Sequence, residues 1–284
     1  MYEVQLIVDQ KAELGEGPCW DGKNKCLYWV DIMGKKLHIH SPATNTNREI
    51  DVGAYIGTVA VREKGGLIVA LQNGFHFLDT ETEQLTPITD PERHRPENRF
   101  NDGKCDPAGR FWAGSMELNI TGPNASLYRL GTDLKVKKML DDVTISNGLA
   151  WSPDYKKMYY IDTPTQQIAA FDYDHQTGEI SNKRAVVTID KKDGSPDGMT
   201  IDEEGMLWVA HWGGSRVTRW NPATGELLDK IEVPATNVTA CVFGGENMDE
   251  LFITTARSEG DPSSGGLFKV KLNVKGAPSY TFQG

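Results

Sequence analysis

The chain repeats itself roughly every forty-five residues, and that period restricts the folds open to it more than any other feature. Each unit has a Gly near the start of a short strand, an Asp or Gly turn, and then a strand such as Leu27-Tyr28-Trp29-Val30-Asp31. A polar loop, a third strand, a turn rich in Asn, Pro, Thr and Gly, and a fourth strand complete it. The copies beginning at Gly15 and Pro196 share the turn Pro-Ala-Thr, at Pro42-Ala43-Thr44 and Pro222-Ala223-Thr224. Aligned on the first-strand turn, the equivalent starts are Glu16, Gly57, Asn101, Asn147, Asp197 and Thr239, spaced 41, 44, 46, 50 and 42 residues apart. Helical periodicity is nearly absent, and short apolar runs alternate with turn residues. Six such units predict an all-β six-bladed β-propeller with four-stranded blades, residues 1–284 forming a single domain. The segment Glu3-Val4-Gln5-Leu6-Ile7-Val8 is a strand left over at the front. It is expected to become the outer strand of the last blade, beside Leu267-Phe268-Lys269-Val270, closing the ring and removing an exposed edge. An open β-sandwich does not explain six matched starts.

In a propeller the first strand of every blade lines the central channel. The six starts therefore ring one mouth, which brings Glu16, Asn101, Asn147 and Asp197 together from distant parts of the sequence. The loops after the second strands return to the same face. They include Ser115-Met116-Glu117, Asp162-Thr163 and His211-Trp212-Gly213-Gly214. Two carboxylates and two amides around one opening make an all-oxygen site suited to Ca²⁺, Mg²⁺ or Mn²⁺. Without a cation, two ionised carboxylates buried together repel. Asn and Asp before Gly also serve as plain turn formers, but Glu16 is a poor one, and four polar residues share one register.

Composition excludes several classes. The net charge of −10 argues against nucleic acid or an anionic membrane as partner. No run approaches the ~18 consecutive apolar residues of a membrane helix. The N-terminus lacks the basic and apolar regions of a signal peptide, so a cytoplasmic location is expected. Cys19, Cys26, Cys105 and Cys241 show no CxxC spacing and read as reduced, buried residues, although Cys19 and Cys26 could face each other across a hairpin. His38, His40, His76, His94 and His175 have no ligand spacing, whereas His211, beside Trp212 on a rim loop, is a candidate substrate wall. Ser115 is not in a GxSxG elbow, which disfavours serine-hydrolase chemistry.

Several long motifs, in order, carry a resemblance that covers essentially the whole chain: LGEGPCWD at Leu14, RFNDGKCDPAGRFWAGSM at Arg99, ISNGLAWS at Ile145, FDYDHQTGEISNKR at Phe171, PDGMTIDEEGMLWVA at Pro196 and CVFGGENMDELFITTAR at Cys241. The chain resembles the family of senescence marker protein (regucalcin), the gluconolactonases and luciferin-regenerating enzyme. That family is six-bladed. The resemblance implies one divalent metal ion (Ca²⁺, Zn²⁺, Mn²⁺, Mg²⁺ or Fe²⁺) on Glu16, Asn147 and Asp197, and substrate contacts from Arg99, Asn101 and Glu117, with Asn119 an alternative to Glu117. The activity it implies is metal-dependent hydrolysis of a gluconolactone-like sugar lactone. Asp197 is the candidate general base, and Asp102, next to Asn101, is a further polar neighbour. A small-molecule sugar lactone is the expected partner, and the chain is expected to be a monomer or weak homo-oligomer. A calcium-binding regulator without catalysis and a metal-dependent phosphoester hydrolase are the alternative readings.

Overall fold

A computed structural model describes residues 2–284. Six four-stranded antiparallel sheets follow one another in the described residues, arranged as a six-bladed β-propeller. The innermost strands are Gly15–Asp21, Ile56–Val61, Asn98–Cys105, Ser146–Trp151, Ser195–Ile201 and Asn237–Gly244. In blades one to five the chain steps outward through four consecutive strands. Blade six takes its outermost strand from the other end of the sequence. Gln5–Val8 pairs antiparallel with Leu267–Lys271, placing Gln5 opposite Lys269 and Leu6 opposite Phe268. Helical structure among the described residues is confined to two 3-10 turns, Thr163–Thr165 and Lys191–Asp193. No helix there is long and apolar enough to cross a membrane.

The core lies in the seams between neighbouring blades. Second strands such as Cys26–Asp31 and Leu67–Leu71 are buried along their whole length, because sheets pack on both faces. Their β-branched and aromatic residues fill that space. Two blades fasten the turn after the inner strand in the same way. The carboxylate of Asp106 accepts from the backbone N–H groups of Ala108 and Arg110, from Arg110 Nε at 2.7 Å and from Trp112 Nε1 at 2.9 Å. Asp202 repeats this with Glu204 N, Met206 N, Trp208 Nε1 and Arg219 Nε. Both aspartates are completely buried, and these shared bonds offset the desolvation of their charge.

The stretch after the last strand, to which the repeat assigns no part, crosses the channel end opposite the aligned starts. Gly276 and Ala277 donate to Met248 O and Ile201 O on one side. Phe282 and Gln283 donate to Val61 O and Gly109 O on the other, with the Phe282 ring fully buried. The cysteine hairpin also resolves: Cys19 lies opposite Tyr28 and Cys26 opposite Asp21, so the two thiols are not cross-strand partners, and all four cysteines are free.

Close packing around the axis depends on glycine. A Cβ at Gly198 would lie 2.4 Å from Ala240 Cβ in the next blade, and one at Gly148 would lie 2.5 Å from Met199 Cβ. Gly198→Ala is therefore expected to destabilise the fold by about 1–3 kcal/mol, the usual cost of overpacking a rigid core. Urea unfolding checks this; an unchanged midpoint would show that the inner strands can separate at no cost.

Candidate functional site

Every inner strand breaks its hydrogen-bond ladder with the second strand at the same place. The register shifts fall between Glu16 and Cys19, Ile56 and Thr58, Phe100 and Gly103, Ser146 and Leu149, Pro196 and Met199, and Val238 and Ala240. A bulge bends a strand and re-aims a side chain out of the regular alternation. Here Asn101, Asn147 and Asp197 lie within these interruptions, and Glu16 stands at the edge of one. The backbone leading into two of them is tied down by an aspartate at the end of the second strand. Asp31 accepts from Glu13 N and Leu14 N, just before Glu16, and Asp162 accepts from Thr144 N and Ile145 N, just before Asn147.

The result is a cavity of about 330 Å³. Its polar lining is Glu16, Arg99, Asn101, Asn147, Thr163, Ser195 and Asp197, and its apolar lining is Leu14, Met116, Ile120, Ile145 and Trp212. Arg99 Nη1 donates to Asn101 Oδ1 at 2.7 Å and to Phe100 O at 3.0 Å. Asn101 Nδ2 donates to Ser146 O, which fixes the amide and orients the guanidinium. Asn147 Nδ2 donates to Thr163 Oγ1 at 2.8 Å, and that hydroxyl donates to Pro196 O.

Charge is unevenly compensated here. Glu16 accepts from Gly17 N, yet burial and then the charge of Asp102 push its carboxyl up to about 8. Burial, followed by Glu16 and Asp102, raises Asp197 well above the usual carboxylate range. Burial also raises Asp102, which accepts from Gly103 N and has Lys104 as its nearby cation. Burial lowers Arg99 to about 10, with Glu16 and Asp197 opposing the shift, so it remains a cation at neutral pH.

These donors fit a divalent cation. Asn147 Oδ1 is buried and accepts no hydrogen bond, a costly state for a carbonyl oxygen. It sits at the same cavity as two carboxylates that resist ionising side by side. A hard cation would relieve both conditions, and oxygen donors are what such ions prefer. No group of three His, Cys, Asp or Glu side chains able to hold a metal occurs among the described residues. The candidate donor set is thus two carboxylates and an amide.

Other expected residues are placed differently. Glu117 does not line the cavity. Its Oε2 accepts from Thr121 N, Thr121 Oγ1 and Asn124 Nδ2, which ties down a rim turn and lowers its pKa. Asn119 is exposed and outside the lining too, and Ile120 occupies that wall. His211 points into its blade, with Nδ1 on Asp193 O and Nε2 on Thr218 Oγ1, and burial lowers its pKa to about 4. Its neighbour Trp212 faces the cavity instead. Thr239 uses its hydroxyl on Gly15 O. The cavity also gains Thr163 and Ser195, which the aligned starts alone do not single out.

A family model described as the SMP-30/Gluconolactonase/LRE-like region matches residues 14–257. A Bacillus subtilis (strain 168) protein, named provisionally as the sugar lactone lactonase YvrE, is 43% identical over 99% of each chain. Among solved structures, a luciferin-regenerating enzyme is 36% identical over 100% of each chain, with a TM-score of 0.94. The structure of a calcium-binding protein, regucalcin, from Agrobacterium tumefaciens str. C58 has a TM-score of 0.95 at 26% identity, covering 99% of this chain and 98% of its own.

The raised acids set a pH dependence. A carboxyl whose folded value lies above its unfolded value favours the fold only while protonated. That contribution is complete below an unfolded value of 4.5 and is lost as pH rises through about 8 for Glu16. In chelator, the melting temperature is expected to fall across this window. Added Ca²⁺ or Mn²⁺, at a fixed concentration about 100 times its Kd at the upper end of the window, should restore about 2.7 kcal/mol there, several degrees, and less at lower pH, where its Kd is weaker. A cation-induced shift that is absent or independent of pH contradicts the assignment.

Proposed function

The chain belongs to the SMP-30/Gluconolactonase/LRE-like family, and on that premise we propose that it is a divalent-metal-dependent lactonase that opens a gluconolactone-like aldonolactone to the aldonic acid. The observation that carries the reading is the meeting, at one cavity, of two mutually repelling buried carboxylates, an unpartnered amide oxygen and a guanidinium–amide pair. Glu16, Asn147 and Asp197 would hold the cation, with Ca²⁺, Zn²⁺, Mn²⁺, Mg²⁺ and Fe²⁺ as the ions to compare. When bound, it supplies Lewis-acid polarisation of the ester.

The chain's own residues account for the rest. A carboxylate oxygen of Asp197 takes a proton from the water that adds to the lactone carbonyl carbon. The bond from that carbon to the ring oxygen then breaks, the ring oxygen receives the proton, and the aldonic acid leaves. The remaining N–H groups of Arg99 present a rigid fork to substrate oxygens. Asn101, held by Ser146 O, keeps that fork in place. A calcium-binding role without catalysis is the second reading, favoured by the likeness to the calcium-binding regucalcin of Agrobacterium tumefaciens. The buried Arg99–Asn101 pair on the cavity wall supports the catalytic reading, since cation storage alone gives no use for a guanidinium there.

A pH-stat assay on five- and six-carbon aldonolactones checks the proposal. Acid release is expected to disappear in chelator and return with a divalent cation. Asp197→Ala should lower kcat at least ~100-fold, with an unchanged circular-dichroism spectrum. Acid release from no lactone, or full turnover by the variant, would overturn it.

A further inference from the structure

The cavity is polar at its floor and apolar at its mouth. Glu16, Arg99, Asn101, Asn147 and Asp197 are each at most 6% exposed, whereas Trp212 is 40% and Ile120 46% exposed. The remaining hydrogen-bonding capacity is concentrated below. Asn101 is used at both ends of its amide, and Thr163 both accepts and donates. Ser195 adds only its hydroxyl, already accepting from Gln166. The apolar lining, Leu14, Met116, Ile120, Ile145 and Trp212, offers a substrate hydroxyl no side-chain hydrogen bond except the indole N–H, and its two exposed members, Ile120 and Trp212, stand at the mouth.

Ile120 is held there against its own preference. Its φ is +50°, a left-handed conformation that is strained for a β-branched residue. The turn that imposes it is fastened by Glu117, whose backbone carbonyl accepts from Ile120 N and whose Oε2 accepts from Thr121. Asn or Gly would adopt that backbone more easily. A strained, exposed isoleucine lining the same cavity as an exposed tryptophan and the buried acids is an arrangement that folding does not require.

We infer that Ile120 and Trp212 are specificity-determining residues that select lactones whose exocyclic terminus is apolar, 6-deoxy aldonolactones over their hydroxylated counterparts. The inference rests on the lactonase reading. With the ester at the floor, the exocyclic arm extends towards these two side chains. A terminal hydroxyl placed there leaves water without gaining a protein partner, whereas a methyl group buries apolar surface.

D-galactono-1,4-lactone and its 6-deoxy counterpart differ only in that terminus. The wild type is expected to favour the 6-deoxy lactone about 10-fold in kcat/KM, the usual range for one group in an apolar pocket. Ile120→Asn relieves the backbone and supplies a hydrogen-bonding group, so it should fold at least as stably and bring the ratio close to one. Trp212→Ala should lower the ratio as well. A merely structural effect would scale both lactones equally. Equal or preferred turnover of the hydroxylated lactone by the wild type, or an unchanged ratio in both variants, overturns the inference and leaves the lactonase reading standing. Acid release from neither of the two, while another aldonolactone of the five- and six-carbon panel is opened, overturns the inference alone; acid release from none of the panel overturns both.

Discussion

The interrupted ladder of the inner strands is the constraint from which the rest follows. Six strands meet around one axis, and regular alternation would turn the side chains of each into the seams on either side of its blade. A bulge at one height in every blade ends the regular pairing there; in blades three to five it carries Asn101, Asn147 and Asp197 to the cavity, and in blade one Glu16 stands at its edge. Glycines beside the bulges let neighbouring blades approach to within a Cβ of contact. Polar groups thereby become buried with few bonding partners. The crowding of Glu16, Asp102 and Asp197 is a direct consequence, and Arg99 and Lys104 balance it only in part.

The fold separates two tasks. The cavity floor is made of inner-strand residues whose positions are set by sheet geometry, so it is rigid and pre-organised for chemistry at one point. The upper wall is made largely of loop and strand-end residues, among them Ile120 and Trp212. They are free to differ without disturbing the ring. Glu117 works at the boundary, since its carboxylate shapes the rim turn while its strand is hydrogen-bonded into blade three.

Much of this was legible in the sequence, for identifiable reasons. A period of 41 to 50 residues leaves one number of blades, and the unmatched strand Gln5–Val8 has one place to go. Because inner strands converge, aligning the repeats was enough to gather Glu16, Asn101, Asn147 and Asp197 at one mouth. Side-chain direction at the rim was harder to read. His211 and Trp212 are adjacent on a strand and must point opposite ways, but which of them faces the cavity depends on a register that spacing does not set. For Cys19 and Cys26, the turn sets Asp21 opposite Cys26, and regular pairing from there leaves Cys19 opposite Tyr28. Ile120 adopts a backbone that its residue type disfavours, so propensity points away from the observed turn. The crossing of the far channel end by residues 276–283 relies on backbone hydrogen bonds and on the single buried ring of Phe282, too little apolar pattern to stand out beside the repeat.

On the proposed reading, the buried acids and the unpartnered amide form one cation site. Anomalous diffraction from crystals soaked in Mn²⁺ tests it most directly. One strong peak per chain is expected, within coordination distance of the Glu16 carboxylate, Asn147 Oδ1 and the Asp197 carboxylate. No peak there, or a peak bound only by other residues, would contradict it.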